Sequence, residues 1–223
     1  MKRKLTVCIP DLHVPQYDPA ALDWALAYAV KRRPDRVVLL GDVVDFLALS
    51  RFPKSPQQAA ALHEEIESGR DVIWLIERRL ARVRNIVWLA GNHEQRVQKY
   101  LFKLAPELCV LPELSVPAML RMPKRWQYVE PGGHVFDQGV LVMHGTRYAQ
   151  NTCGKYLDEY ACNVVAGHSH RANQMTRRLP SGQCITAIEA GCLCSFVQSY
   201  TQLNNWSHAL VTIEGGRPEL VRR

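Results

Sequence analysis

The chain has 223 residues, 47% hydrophobic and 22% charged, and a net charge of +7 at neutral pH. That balance excludes a disordered chain, and no apolar run is long enough to cross a membrane. The expectation is one soluble domain with a substantial core, in the cytoplasm, because Asp11 and His13 soon interrupt the basic start Met1-Lys2-Arg3-Lys4 and leave no secretion signal.

Leu5 to Pro10 reads as a buried strand. Pro19 to Arg32 reads as an amphipathic helix with Asp18 as its cap and Pro19 in the first position. Buried strands follow at Arg36 to Leu40 and Ile86 to Ala90. Between them, Pro56 to Arg84 is strongly helical, with a stripe of Leu62, Ile66, Ile73, Ile76, Leu80 and Val83 on one face. The stripe is too short for a coiled coil and is expected to pack on a sheet, although it leaves dimerisation open. Ser68-Gly69 is a candidate bend. Alternating strands and helices predict parallel pairing with right-handed crossovers, an α/β arrangement.

From Ala105 to Arg125, Pro106, Pro112, Pro117 and Pro123 predict an irregular connection, a lid or a divider. Short strands then follow at Tyr128–Glu130, Val135–Asp137 and Val140–Met143. A helix is expected over Gly154–Tyr160 and a strand over Asn163–Ala166. Gln174–Leu179 and Gln183–Glu189 flank Pro180-Ser181-Gly182, and Ala209–Ile213 and Glu219–Val221 flank Gly215-Gly216, so two hairpins are expected.

The seven cysteines, odd in number and without a secretion signal, are expected to be reduced thiols. Cys8 and Cys162 look like small core residues, and Cys192-Leu193-Cys194 lacks the second pair that a zinc finger needs. The net charge favours an anionic partner such as nucleic acid or a phosphorylated substrate, against the plainer reading of solubility charge.

Five clusters each end a strand-like run: Asp11-Leu12-His13, Gly41-Asp42-Val43-Val44-Asp45, Gly91-Asn92-His93-Glu94, His144-Gly145 and Gly167-His168-Ser169-His170. Divalent ions take carboxylate oxygen and imidazole nitrogen, and strand ends hold such ligands rigidly at one sheet edge. Taken singly, an Asp after a strand is usually a turn or cap residue, and a lone His is usually structural. His63, His134 and His208 keep that plainer reading, because none sits in a cluster. Jointly the clusters deliver seven candidate ligands: Asp11, His13, Asp42, Asn92, His144, His168 and His170. Asp45 and Glu94 have the weaker individual case, since either could be a helix N-terminal acid.

The order D-x-H, G-D-x-x-D, G-N-H-E/D, H and G-H-x-H resembles the calcineurin-like metallophosphoesterase family, from Asp11 to His170. The resemblance implies a four-layer αββα sandwich with two divalent ions at the sheet edge. Asp11, His13 and His170 would hold the first ion, Asn92, His144 and His168 the second, and Asp42 would bridge them. His93 would act as acid, oriented by Asp45. Two ions about 3.5–4 Å apart suit in-line displacement at a phosphate ester, and a carboxylate beside His93 would raise its pKa. The donor set accepts manganese, the first expectation, or iron, zinc or nickel.

In the protein serine/threonine phosphatase branch of the family the second motif continues Asp-Arg-Gly. Here Phe46-Leu47 follows Asp45, which argues against a phosphoprotein substrate. Arg51, Lys54 and Arg147 are the candidates for the missing phosphate-binding charge, with solvated loop charge as the alternative. The chain also resembles small phage and prophage phosphoesterases, which favours DNA, RNA or a nucleotide as substrate. The expected activity is therefore phosphodiester hydrolysis, with a phosphomonoesterase or a non-catalytic nucleic-acid-binding protein as alternatives.

Overall fold

The structure is a computed structural model that describes residues 4–51, 55–197 and 205–223. Strands β1 (Leu5–Ile9), β2 (Arg36–Leu39), β3 (Asn85–Leu89) and β4 (Trp126–Val129) pair in parallel. The hairpin of β10 (Ala209–Glu214) and β11 (Arg217–Arg222) joins antiparallel to β1 and completes a six-stranded sheet ordered β11-β10-β1-β2-β3-β4. A second, five-stranded sheet runs β5-β6-β7-β9-β8, built from β5 (His134–Asp137), β6 (Val140–Met143), β7 (Asn163–Ala166), β8 (Ala172–Arg178) and β9 (Cys184–Ala190).

Side chains alternate along each strand, so each sheet has two buried faces. Val7, Ile9, Val37, Leu39, Ile86 and Trp88 face the helices α1 (Pro19–Arg32) and α3 (Leu62–Arg79). Their neighbours Cys8, Val38, Val87 and Leu89 turn the other way and meet Val140, Val142, Val165 and Ile188 between the sheets. Leu141, Val164, Ile185 and Ala187 face α6 (Thr152–Tyr160) on the far side. The layers are thus helix, sheet, sheet, helix, as expected. Both hairpins form where expected, and Gly215 and Gly216 carry φ of 59° and 77°, which a two-residue hairpin turn of this twist requires.

Two helical expectations need correction. The Pro56–Arg84 segment is two helices, α2 (Pro56–Ala60) and α3, which ends at Arg79. The break falls at Ala61, and α3 runs unbroken through Ser68-Gly69. Gly69 is there for space, because a Cβ would stand 2.9 Å from both Leu120 and Val44. The apolar stripe packs on the chain's own core: Ile73, Ile76, Leu80 and Val83 are buried, and the partly buried Leu62 and Ile66 pack against them. Gly69→Ala should gain about 0.5–1 kcal/mol of helix propensity but lose about 1–3 kcal/mol to overpacking. A net loss of about 1 kcal/mol in urea unfolding is expected, and a gain in stability would refute the close packing.

The helix α4 (Gln95–Leu104) was not foreseen, nor was α5 (Val116–Met119) in the proline-rich connection. No helix of the described residues is long and apolar enough to cross a membrane.

Candidate metal centre

Parallel pairing brings the C-terminal ends of β1, β2 and β3 to one edge of the first sheet, and β6 and β7 end at the same place on the second. The clusters that follow them converge. Asp11, His13 and His170 bring ligand atoms within 4.8 Å of one another, and so do Asp42, His144 and His168; all but the half-buried His168 are buried. Asp42 links the two groups, with Oδ2 3.8 Å from His13 Nε2 and 3.4 Å from His144 Nε2. Asn92 joins the second group, its Oδ1 3.0 Å from His144 Nε2.

The protonation pattern favours a cation over hydrogen bonds among these atoms. His144 Nδ1 lies 2.8 Å from Leu40 O, so its N–H points to that carbonyl and the Nε2 lone pair faces Asp42 and Asn92. Acceptors therefore converge on acceptors. His168 Nδ1 is buried with no hydrogen-bond partner. In the first group His13 Nδ1 stands 3.2 Å from Asp45, which turns its Nε2 toward His170 Nε2 at 2.9 Å. Without an ion, burial pulls His144 down, but Asp42 outweighs it and drives the imidazole up to about 10, so a proton on Nε2 takes the place that a cation would fill between these acceptors. Two divalent ions fit these donors in number and kind.

The backbone pays for this convergence. His13, Asp42, His168 and His170 carry φ of 56°, 47°, 72° and 61°, in the left-handed region that side chains seldom occupy. Gly91 and Gly167 leave room for carboxylates. A Cβ on Gly91 would collide with Asp42 Oδ1, and one on Gly167 would stand 2.5 Å from Asp11 Oδ2. Gly41 serves the turn itself, with φ of 99°.

Glu94 has a different role from a helix-terminal acid. Its carboxylate is 1% exposed and accepts four backbone N–H groups: Gly91 at 2.7 Å, Asp42 at 2.9 Å, Val43 at 2.8 Å and Val44 at 3.1 Å. It ties the Asp42 loop to the Asn92 loop. Burial, then Asp42 beside it, pushes its pKa up to about 7.

His93 stands over the centre. Its Nδ1 contacts the Asp45 carboxylate, and its Nε2 lies 3.8 Å from Asp42 Oδ2. Burial lowers its pKa, but Asp42 and Asp45 outweigh that and the net shift is upward. Asp45 is held well below the usual carboxylate range, since contacts with His13 and His93 overcome the opposing effect of burial.

The calcineurin-like phosphoesterase family description matches residues 5–172. This chain belongs to that family. Among curated proteins it is similar to the Gene 54 protein of Mycobacterium phage L5, 25% identical over 98% of this chain and 93% of the relative. The Gene 54 protein of Mycobacterium phage D29 is 24% identical over the same shares. Solved structures with a related shape include vacuolar protein sorting 29 from Cryptosporidium parvum, with a TM-score of 0.49, 12% identity, and 100% of this chain and 98% of that one covered. Another is Yfce, a phosphoesterase from E. coli, with a TM-score of 0.43, 15% identity, and 94% and 87% covered.

The calcineurin-like motifs account for the clustered ligands, but the three cations proposed for substrate separate. Arg51 lines a cleft together with Asn92. Arg147 is ion-paired on the surface with Glu159 of α6. Lys54 lies outside the described residues. The residue that sequence reading missed is Arg96, whose NH1 donates to Asp45 O at 2.8 Å and whose NH2 lies 3.0 Å from His93 Nε2. Its spacing of three from His93, at the start of α4, was the available signal. Cys8 is a core thiol as expected, while Cys162 is only half-buried. Cys194 backs the centre, with Sγ 3.9 Å from His170 Nδ1.

Proposed function

We propose that this chain is a metal-dependent phosphodiesterase acting on nucleic acid or nucleotides. The observation that carries the reading is the Asp42 carboxylate, placed between two groups of Asp and His side chains whose ligand atoms converge. Asp11, His13 and His170 would hold one divalent ion, Asn92, His144 and His168 the other, and Asp42 both. Two such ions, manganese for the assays below, would supply Lewis-acid activation of water and neutralise the phosphoryl oxygens.

The chain's own groups do the rest. His93 gives the Nε2 proton to the leaving oxygen as the phosphorus–oxygen bond breaks, and Asp45 holds Nδ1 and keeps the ring charged. Arg96 NH2 stands 3.0 Å from that same nitrogen and can only donate there, so an entering phosphate must draw the guanidinium onto itself before Nε2 carries the proton. It supplies the positive charge that the second motif lacks after Asp45.

With manganese, the purified protein should cleave bis-p-nitrophenyl phosphate faster than p-nitrophenyl phosphate. The reverse preference would indicate a phosphomonoesterase. No turnover, with less than one ion bound per chain, would leave a non-catalytic scaffold. His93→Ala should lose about 10²–10³-fold in kcat, more on esters with poor leaving groups. Because His93 must carry a proton and its pKa is raised, the wild-type rate should fall as pH climbs past 6.5, and that limb should vanish in His93→Ala.

A further inference from the structure

Two clefts open beside Asn92, and their linings differ. The first, about 670 Å³, runs along α4 and presents Arg51, Arg96, Lys99 and Lys103 with Tyr100, and no carboxylate among its described lining residues. Arg96, Lys99, Tyr100 and Lys103 are spaced three, four and seven apart, so one face of the helix carries them all. The second, about 400 Å³, lies between α4 and the strands β5 and β6. Its described lining holds no Lys, Arg, Asp or Glu, and its rim carries His134, Phe136 and Tyr160.

A phosphomonoester has one substituent and needs one cleft. A phosphate inside a polynucleotide carries chain on both sides, and two clefts meeting at a metal ligand match that shape. Lys99 and Lys103, one helical turn apart along this cleft with Arg96 at its inner end, match the polyanionic backbone. The exposed rings of Tyr100 (42%) and Phe136 (63%) match unstacked bases, which only a single strand presents. Resting on the phosphodiesterase reading above, we infer that the centre cuts internal phosphodiesters of single-stranded nucleic acid. The backbone lies along Arg96, Lys99 and Lys103, a base stacks on Tyr100, and the base across the cut enters the Phe136 cleft. Water adds across one phosphorus–oxygen bond, leaving a phosphomonoester on one fragment and a hydroxyl, protonated by His93, on the other.

Circular single-stranded DNA tests this directly, because it has no ends. Wild-type protein with manganese should linearise it and should act more slowly on a relaxed circular duplex. The Lys99→Ala/Lys103→Ala variant should lower the ratio of kcat/KM on a short oligothymidylate to that on bis-p-nitrophenyl phosphate by at least tenfold. In fluorescence anisotropy with EDTA, the same variant should reduce the salt slope of oligothymidylate binding by about 1.4, from about 0.7 per lost phosphate contact. Tyr100→Ala should weaken that binding about tenfold. An intact circle beside active cleavage of the small diester overturns this inference and spares the phosphodiesterase. A preference for duplex, or an unchanged salt slope in the double variant, also overturns it. Failure on both substrates removes the two readings together.

Discussion

Asp42→Ala should lower bis-p-nitrophenyl phosphate turnover by about 10³-fold or more, since preorganised charge at the reacting phosphate is the largest single contribution in such sites. Asp42 is 2% exposed, and its Oδ2 faces ligands of both groups. Its Oδ1 accepts the His93 backbone N–H at 2.9 Å, so the same side chain also positions His93. The variant should bind fewer than two ions per chain by elemental analysis while keeping its far-UV circular dichroism. Two retained ions with activity within tenfold of wild type would mean that Asp42 is not the bridge. Asp42→Asn tests charge separately from shape: it keeps an acceptor for His93 N–H and should still lose most of the rate.

Glu94→Ala should be the most destabilising single change near the centre, although Glu94 is not among the proposed ligands. Four backbone N–H groups would lose their acceptor inside the protein. Bonds to a charged acceptor are worth about 1.5–3 kcal/mol each but do not add, so a loss of about 3–4 kcal/mol is expected. For a chain of this size that corresponds to a fall of about 10 °C in melting temperature. Manganese affinity should fall as well, because the loops bearing Asp42 and Asn92 are no longer tied. Glu94→Gln, whose amide must turn N–H donors toward N–H donors, should recover little. A melting temperature within two or three degrees of wild type would mean that water replaces the carboxylate.

The clustering of the proposed ligands was legible because each follows a strand, and strands β1, β2, β3, β6 and β7 announce themselves as apolar runs of four or five residues. Order along the chain then became order along a sheet edge. What could not be read was anything decided by a partner distant in sequence. Glu94 looked like a cap because its four donors lie in two different loops, one of them 50 to 52 residues away. Arg147 looked close to His144, but Glu159 on α6 takes its guanidinium. Helix α4 was missed although Val97, Leu101 and Leu104 recur at steps of four and three, the spacing of an apolar helix face. Missing α4 meant missing Arg96. Gly69 read as a weak point in a helix, whereas the fold uses it as a place where Val44 and Leu120 come close.

The left-handed backbones at His13, Asp42, His168 and His170 bear on how this protein can evolve. Each such residue costs of order 1–3 kcal/mol relative to a relaxed loop, and the two packed sheets hold that tension in place. Selection for stability alone would therefore erode the centre first, by replacing these residues with glycine or asparagine. A lineage that keeps all of them is under continuing selection for what the centre does, and one that has lost the need should drift toward a sturdier, inert relative with the same sheets.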